Sequence, residues 1–396
     1  MSRCIYRGVA ILVLNAIIAF AGFELAALGF FTMKIPTGTT SPTEQLTGEG
    51  TPREQVSYYA TQDWGERFWH EFRLSRNQQF YSFVGWRRAP FKGQTIEINQ
   101  EGVRLTPGAD CRPGSYKVFT FGASEMWGTG SPSWGTIPAH LQKGLEKMRQ
   151  GPVCVTNFAE SAYVSMQDII MLLMQLRSGN VPDVAVFYTI GDDIYTAYQS
   201  GRVGILQNLD QMAARFGGHR EPDTFLDRLR GSYSYKLIDL LMGKLTIADS
   251  NQGQPAPHKL ITYESMGIDA GTLSDLVVKE YFGNYKIVGA LAQEYGFKYF
   301  IFLPPQVSMG NKPLTSEEQE MKRRTESEAA LHKLVTTVYQ AIERESPKYP
   351  NLYSMVPIFD AYDSLIWIDD SHVTPVGNQL IAEKMLRAIA GSEGLR

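Results

Sequence analysis

Cysteine and histidine are scarce in this sequence, and their spacing argues against a structural zinc site. The 396-residue chain has three cysteines, Cys4, Cys111 and Cys154, six scattered histidines and no Cys-x-x-Cys pair. A structural zinc usually needs four Cys or His ligands at short spacings. We therefore expect no zinc site, and the serine chemistry considered below needs no metal or organic cofactor. An excess of positive charge is also missing, because the net charge is −3, so no nucleic-acid partner is expected.

One long hydrophobic run lies at the N-terminus. Over residues 8–31 it contains only two strongly polar residues, Asn15 and Glu24. At about 1.5 Å per residue, such a run is long enough to cross the core of a bilayer. Arg3 and Arg7 precede the run, and positive charge on that side favours a cytoplasmic N-terminus. The sequence therefore predicts a single-pass membrane protein whose remaining chain lies on the periplasmic side.

We predict that residues 1–34 form an uncleaved membrane anchor, with a cleaved signal peptide as the alternative. A signal peptide has an apolar region of about 7–15 residues that ends in small residues, whereas this run ends in Gly-Phe-Phe-Thr-Met-Lys. Residues 35–53 are rich in Thr, Pro, Gly, Ser and Glu, which is typical of a flexible linker. Periodic aromatic residues, followed by short strands and turns, predict an extension over residues 54–112 that packs on the main domain.

Short apolar runs alternate with helical stretches through residues 113–394. The runs with strand character are YKVFTF, VCVTNF, DVAVFYTI, FKYFIFLPP and LIWI, and the helical stretches lie at 134–149, 165–178, 316–345 and 374–390. Apolar strands separated by helices are typical of a parallel sheet buried on both faces. We therefore predict a flavodoxin-like three-layer α/β/α domain with a central parallel sheet. Residues 200–285 interrupt the alternation and predict an insertion, or lid, over the strand ends.

Cys111 and Cys154 each lie close to the start of a predicted strand. If these two strands are parallel neighbours, the thiols are near enough for a disulfide, which an oxidising compartment permits. Two unpaired thiols are the alternative, and the sequence does not decide between them.

Ser124 is the candidate nucleophile. In KVFTFGASEMWGTG an apolar strand ends at Gly122, which permits a tight bend, and Ser124 then begins a helix. Unpaired backbone N–H groups at the start of a helix favour negative charge, which suits a serine oxygen that attacks a carbonyl. An ordinary N-cap serine fits the same pattern, so this stretch alone leaves both roles open.

A second candidate stretch, WIDDSHVTPVGN, lies near the C-terminus. Asp369 and His372 are three residues apart on a predicted turn before the last helix. At this spacing a carboxylate can hold one imidazole nitrogen while the other nitrogen accepts a serine proton. The alternative is a capped helix start, with Ser371 or Thr374 as the cap and His372 at the surface. Together with Ser124, the pair makes a candidate catalytic triad in the order Ser-Asp-His.

Four blocks of the sequence resemble the SGNH/GDSL hydrolases, and more narrowly their membrane-anchored bacterial branch associated with cell-envelope polysaccharides. The blocks are FGASEMWGTG, NFAESAYVSMQ, FYTIGDDIYTAYQSG and IDDSHVTPVGN, and YSFVGWRRAPF before them is also similar to this branch. The resemblance covers residues 80–394 and is most specific in the first and last blocks. It implies the SGNH hydrolase fold, with Ser124 as the nucleophile, Asp369 as the acid and His372 as the base.

The two middle blocks carry the oxyanion hole that the resemblance implies. The family uses three donors: the serine N–H, a glycine N–H from the second block and an asparagine amide from the third. Here the glycine position is Ala162, and the asparagine position is Asp192, or Asp193 in an alternative register. An ionised carboxylate cannot donate a hydrogen bond. The aspartate must therefore be protonated, be turned away, or belong to a site with little hydrolytic activity.

The resemblance implies a serine esterase that removes an acyl group, such as acetyl, from an envelope or exported polysaccharide. Glu125, Glu160 and Trp127 flank the predicted pocket and can contact a sugar, although exposed carboxylates and a core aromatic are the simpler interpretation. One alternative function is a degenerate domain that binds glycan, or acts as a scaffold, in a polysaccharide export or modification machine. An O-acyltransferase is the other alternative, and it requires an acyl donor.

Overall fold

The computed structural model describes residues 15, 18–27, 53–209, 235, 237 and 262–393. Residues 15, 18–27, 235 and 237 belong to one compact unit and are helical, and the other described residues belong to a second unit. No helix among the described residues is both long and apolar enough to span a membrane. The predicted anchor at 1–34, the linker at 35–53 and most of the predicted insertion lie largely outside the described residues.

The N-terminal extension consists of short helices and hairpins with many aromatic side chains. Its elements are a 3-10 turn (Arg53–Gln55), α1 (Ser57–Ala60), α2 (Gly65–Leu74), β1 (Gln78–Tyr81), β2 (Gly85–Arg88), β3 (Phe91–Lys92) and β4 (Glu97–Ile98). β1 pairs antiparallel with β2, and β3 pairs antiparallel with β4. Phe68, Trp69 and Phe72 lie on one face of α2 at helical spacing and are buried in the core. The helices and short strands expected for residues 54–112 are therefore present.

A five-stranded parallel sheet forms the centre of the second unit. Its strands are β5 (Tyr116–Gly122), β6 (Val153–Asn157), β7 (Val184–Tyr188), β8 (Lys298–Leu303) and β9 (Leu352–Ser354), in the spatial order β6-β5-β7-β8-β9. The helices after β5 are α3 (Ser124–Trp127), α4 (Ile137–Met148), α5 (Ser165–Arg177), α6 (Gly191–Ser200), α7 (Ala270–Tyr295), α8 (Ser316–Ser327), α9 (Ala329–Glu345) and α10 (Pro375–Glu393). Because β6 and β7 flank β5 on opposite sides, the strand order reverses at β5. In α/β sheets, binding sites form beyond the carboxyl ends of the strands at such a point.

Alternate residues of the strands face two hydrophobic cores, one on each side of the sheet. On β5, Val118 belongs to the first core, whereas Phe119 and Phe121 belong to the second. Side chains of α4 and α10 fill the first core, and side chains of α5, α7 and α9 fill the second. The strands are thus buried on both faces, and the predicted three-layer α/β/α architecture is confirmed.

The segment LIWI, predicted as a strand, is not part of the sheet. The backbone N–H groups of Ile366 and Trp367 donate to Glu318 Oε1 at 2.9 and 3.1 Å. Glu318 is buried and pairs with Lys312 at 2.7 Å. This carboxylate satisfies the backbone groups that a neighbouring strand would otherwise bind. The fifth strand is instead the short β9, which the sequence analysis missed.

The helix predicted at 316–345 is divided into α8 and α9. The break falls at Glu328, whose ψ of 64° lies outside the helical region. α8 buries only Glu318, whereas α9 buries an apolar stripe against the sheet. The insertion predicted at 200–285 also ends earlier than expected, because residues 270–285 belong to α7 and pack in the second core.

Cys111 and Cys154 form a disulfide, which decides between the two alternatives that the sequence left open. Cys111 lies in the loop before β5 and Cys154 lies in β6, which is the parallel neighbour of β5. The bond therefore joins the starting ends of two adjacent strands.

We expect Cys111→Ser to lower the free energy of unfolding by about 3–4 kcal/mol, because the bond closes a loop of 43 residues in the unfolded chain. Urea unfolding of the variant, of the oxidised wild type and of the wild type with dithiothreitol measures the effect. The reduced wild type should behave like the variant. An unfolding midpoint that does not change on reduction would contradict the prediction.

Candidate active site

Ser124 begins α3 directly beyond the carboxyl end of β5. The chain turns at Gly122, where φ is 150° and a Cβ atom would lie 2.3 Å from the carbonyl oxygen of Tyr188. A side chain does not fit at that distance, so the turn before the serine requires glycine. The N–H of Gly122 donates to Asp168 Oδ1 at 3.1 Å, which fixes the turn further.

His372 is hydrogen-bonded to both Ser124 and Asp369. Its Nε2 lies 2.8 Å from Ser124 Oγ, and its Nδ1 lies 2.8 Å from Asp369 Oδ2 and 3.0 Å from Oδ1. Asp369 Oδ1 also accepts the backbone N–H groups of Ser371 at 2.9 Å and His372 at 2.6 Å. Only 5% of His372 is exposed, so it is not the surface residue of the alternative interpretation. In this arrangement the serine proton can pass to Nε2 while Nδ1–H donates to Asp369.

A further charged residue, Arg53, contacts the carboxylate of this triad. Its Nε donates to Asp369 Oδ2, and the two side chains are only 26% and 18% exposed. Burial by itself raises the pKa of Asp369, but Arg53 and His372 outweigh that effect and hold the pKa well below its usual range. Asp369 therefore stays ionised, as a group that orients an imidazole must. Arg53 lies in the segment predicted as a linker, and no local pattern in the sequence connects it with Asp369.

The second sequence block forms a turn between β6 and α5 that the N-terminal extension holds in place. Arg88 donates to Ser161 Oγ at 2.9 Å, and Trp86 Nε1 donates to the carbonyl oxygen of Ser161 at 3.1 Å. The next residue, Ala162, has a φ of 65°, which lies in the left-handed region that favours glycine. For a residue with a Cβ atom, this conformation costs about 1–2 kcal/mol. The backbone conformation suited to the family's glycine is thus present in spite of the alanine.

The two aspartates at the start of α6 face different surroundings. Asp192 lines the same cavity as Ser124 and His372. Asp193 instead accepts the backbone N–H of Ser165 at 3.0 Å and its hydroxyl group at 2.7 Å. The structure therefore favours Asp192 over Asp193 as the residue in the asparagine position of the third block.

The surroundings of Asp192 favour its neutral form. Burial raises its pKa well above the usual range, and the nearby carboxyl groups of Glu125 and Asp193 raise it further. A neutral carboxyl group has an O–H that can donate a hydrogen bond, as the amide of asparagine does. Ser124 and Ala162 line the same cavity. Their N–H groups and the Asp192 O–H are therefore three candidate oxyanion donors.

The cavity beside Ser124 has a volume of about 200 Å³ and charged walls. Its cationic and acidic lining residues are Arg53, Arg76, Arg88, Glu125, Asp192 and Asp370. Drug-sized ligands occupy cavities of about 300–1,000 Å³, so a cavity of this volume suits a smaller group.

Two residues that the sequence placed beside the pocket are buried structural groups. Trp127 is fully buried, with the guanidinium carbons of Arg88 and Arg104 at 3.6 and 4.3 Å from its ring centroid. Glu160 is also fully buried and accepts the backbone N–H of Arg88 at 2.8 Å. Neither side chain can contact a sugar, whereas Glu125 does line the cavity.

Comparisons with known proteins gave matches among solved structures alone. No family model and no curated protein matches the chain. An acetyl xylan esterase, AlAXEase, is 13% identical, with 69% of this chain and 99% of that chain covered and a TM-score of 0.36. A lipase/acylhydrolase from Enterococcus faecalis is 13% identical, with 71% and 97% covered and a TM-score of 0.33. The psychrotrophic esterase EstA from Pseudoalteromonas sp. is 10% identical, with 71% and 100% covered and a TM-score of 0.34.

The parallel sheet, Ser124 beyond the end of β5 and the Asp-x-x-His turn before α10 have the arrangement that the resemblance of the four sequence blocks to the SGNH/GDSL family implies. Its membrane-anchored branch stays a prediction, since the residues that would form the anchor lie largely outside the described part of the chain.

If this site hydrolyses esters, we expect Asp192→Asn to remove the decline of activity that accompanies the ionisation of Asp192. In the wild type, kcat/KM should fall as the pH rises through the raised pKa of Asp192, because the ionised group no longer donates to the oxyanion. Asparagine donates at every pH, so above that pKa the variant should exceed the wild type by about 10²-fold or more. pH–rate profiles with an aryl acetate measure this effect, and exposed Asp363→Asn is the control. The same decline in Asp192→Asn and the wild type would rule out the protonated donor.

We expect Arg53→Gln to lower the free energy of unfolding near neutral pH by about 1.5–3 kcal/mol, the usual range for a hydrogen bond to a charged group. The folded-state pKa of Asp369 is depressed, so the ionised carboxylate stabilises the folded state above the unfolded-state pKa of about 3.9. This stabilisation is lost as the pH falls below that value. The difference from the wild type should therefore shrink below about pH 4. Urea unfolding of the wild type and of Arg53→Gln, from neutral pH to below about pH 4, measures this difference in the free energy of unfolding. Arg73→Gln, at an exposed ion pair with Glu54, is the control, and equal effects of the two variants would contradict the prediction.

Proposed function

We propose that this protein is a serine esterase that removes a short acyl group, such as acetyl, from a carbohydrate. The observation that carries the proposal is the continuous series of hydrogen bonds from Ser124 through His372 to Asp369, at the edge of a cavity. Ser-His-Asp arrangements with these roles perform acyl transfer on several unrelated folds. The small cavity supports a short acyl group over a long fatty chain.

In the proposed reaction, Ser124 Oγ attacks the ester carbonyl carbon while His372 Nε2 takes the serine proton. The N–H groups of Ser124 and Ala162 and the neutral carboxyl group of Asp192 stabilise the oxyanion. His372 then gives its proton to the leaving alcohol, which leaves an acyl-serine. A water molecule that loses a proton to His372 attacks this ester, and His372 passes that proton to Ser124 Oγ as the acid leaves. Throughout, Asp369 orients the imidazole and stabilises its cationic form.

Two features support a carbohydrate as the alcohol part of the ester. The sequence blocks resemble a branch associated with cell-envelope polysaccharides. The cavity walls also carry charged side chains, which can form hydrogen bonds with the hydroxyl groups of a sugar.

The proposed location is the periplasmic side of a membrane, with the N-terminal segment as anchor and the envelope polysaccharide machinery as partner. The apolar run over residues 8–31 and the arginines before it support this orientation. The Cys111–Cys154 disulfide is compatible with an oxidising compartment.

We expect Ser124→Ala to reduce the hydrolysis of an aryl acetate by the full-length protein by at least about 10³-fold, because no other group forms the acyl-enzyme. Release of the aryl alcohol measures the rate, and exposed Ser364→Ala is the matched control. Equal rates for Ser124→Ala and the wild type would refute the esterase proposal.

A glycan-binding or scaffold domain without hydrolysis is the second candidate function, and the carboxyl group of Asp192 in the oxyanion site favours it. Absence of activity in both the wild type and Asp192→Asn, with retained glycan binding, would support this candidate. An O-acyltransferase would instead pass the acyl group to another alcohol. Product analysis with an added alcohol acceptor separates transfer from hydrolysis.

A further inference from the structure

Gln207, which follows α6, has a buried side chain without hydrogen-bond partners. Only 2% of the residue is exposed, and neither Oε1 nor Nε2 is hydrogen-bonded. Burying an amide group without a partner is unfavourable, because the group loses its bonds to water and gains none in the protein. Such a group in a folded protein calls for an explanation, and one explanation is a ligand.

Two other buried glutamines are paired at both polar atoms. Gln142 Nε2 donates to Val153 O at 3.0 Å and its Oε1 accepts the N–H of Val155 at 2.9 Å. Gln167 Nε2 donates to Val84 O at 2.6 Å and its Oε1 accepts the N–H of Val164 at 3.0 Å. Among the described residues, Gln207 is the one amide side chain with both polar atoms buried and unpartnered. Gln207 therefore differs from Gln142 and Gln167.

Gln207 lies in the wall of the cavity that contains the triad. The same cavity is lined by Ser124 and His372, and by Asp192 and Tyr195 of α6. A substrate in this cavity can therefore lie against Gln207 while its ester reaches Ser124. The unpaired amide and the candidate nucleophile line one cavity.

The chemistry of the amide limits what it can recognise. Its oxygen accepts a hydrogen bond, and its NH₂ group, on the same carbon, donates. An anion or a cation satisfies only one of these two atoms. Two neighbouring hydroxyl groups of a sugar ring satisfy both, since one hydroxyl can donate to Oε1 while the other accepts from Nε2.

We propose that Gln207 is a specificity-determining residue that binds two adjacent hydroxyl groups of the sugar whose ester Ser124 cleaves. This inference rests on the proposed esterase function and names the part of the substrate that the cavity recognises. A site with a buried amide discriminates strongly against an analogue without the matching hydroxyl groups, because the amide then stays unpaired.

The test uses the full-length protein and three substrates. These are a methyl glycoside with one acetyl ester beside two adjacent free hydroxyl groups, the same compound with both hydroxyl groups replaced by hydrogen, and an aryl acetate.

The wild type should prefer the hydroxylated glycoside over its deoxy analogue by about 10-fold to 100-fold in kcat/KM, the effect of one or two uncharged hydrogen bonds. Gln207→Leu should reduce this preference to about one, mainly through KM. Gln379→Leu, at an exposed glutamine on α10, should keep the wild-type preference.

Thermal unfolding distinguishes substrate recognition from a structural role. Because leucine replaces an unpaired amide by an apolar group of similar size, Gln207→Leu should keep or raise the melting temperature. The proposal is overturned if the wild type shows no preference, if Gln207→Leu keeps it, or if that variant loses activity equally on all three substrates.

The esterase proposal is tested separately, and it is wrong if Ser124→Ala and the wild type hydrolyse the aryl acetate at equal rates. In that case, calorimetric titration with the unacylated methyl glycoside tests Gln207 directly. The proposal is supported if the glycoside binds the wild type and binds Gln207→Leu more weakly by about 10-fold or more. Equal binding, or no binding to the wild type, refutes it.

Discussion

The hydrogen bond between His372 Nε2 and Ser124 Oγ, 2.8 Å long, connects two parts of the chain that are 248 residues apart. It forms because β5 delivers Ser124 and the turn before α10 delivers His372 to the same edge of the sheet. Asp369 fixes the imidazole from the other side, and Arg53 keeps that carboxylate charged. The enzyme chemistry that we propose depends on this alignment, because a serine hydroxyl without a base at this distance is a weak nucleophile.

The N-terminal extension is part of the active site and not an appendage to it. Arg53 contacts the triad, and Arg88 and Trp86 hold the turn that contains Ala162. Trp127 lies three residues after Ser124 on α3, and its ring lies under Arg88. A displacement of the extension would therefore disturb the orienting carboxylate and a candidate oxyanion donor together, although these groups come from distant parts of the chain.

The oxyanion site combines features that are unfavourable for stability. Ala162 adopts a left-handed backbone conformation that glycine would adopt without strain, and Asp192 is a carboxyl group whose burial disfavours its charge. Gln207 adds an amide without partners in the same cavity. Buried polar groups of this kind are rare in structural cores and more frequent at functional sites. Their presence in one cavity agrees with a site that is completed by a polar ligand.

The sequence alone determined the layered α/β/α fold and the candidate roles of Ser124, Asp369 and His372, while the candidate oxyanion residues Ala162 and Asp192 followed from its resemblance to a known family. These features are local, because a strand pattern, a glycine before a serine and an Asp-x-x-His spacing each lie within a short segment. The tertiary structure decided the pairing of Cys111 with Cys154 and the different surroundings of Asp192 and Asp193. It also showed that LIWI binds Glu318 instead of a strand, and that Arg53 and Gln207 lie at the site. Each of these depends on contacts between residues far apart in the chain, and such contacts leave no periodic or short-range pattern in the sequence.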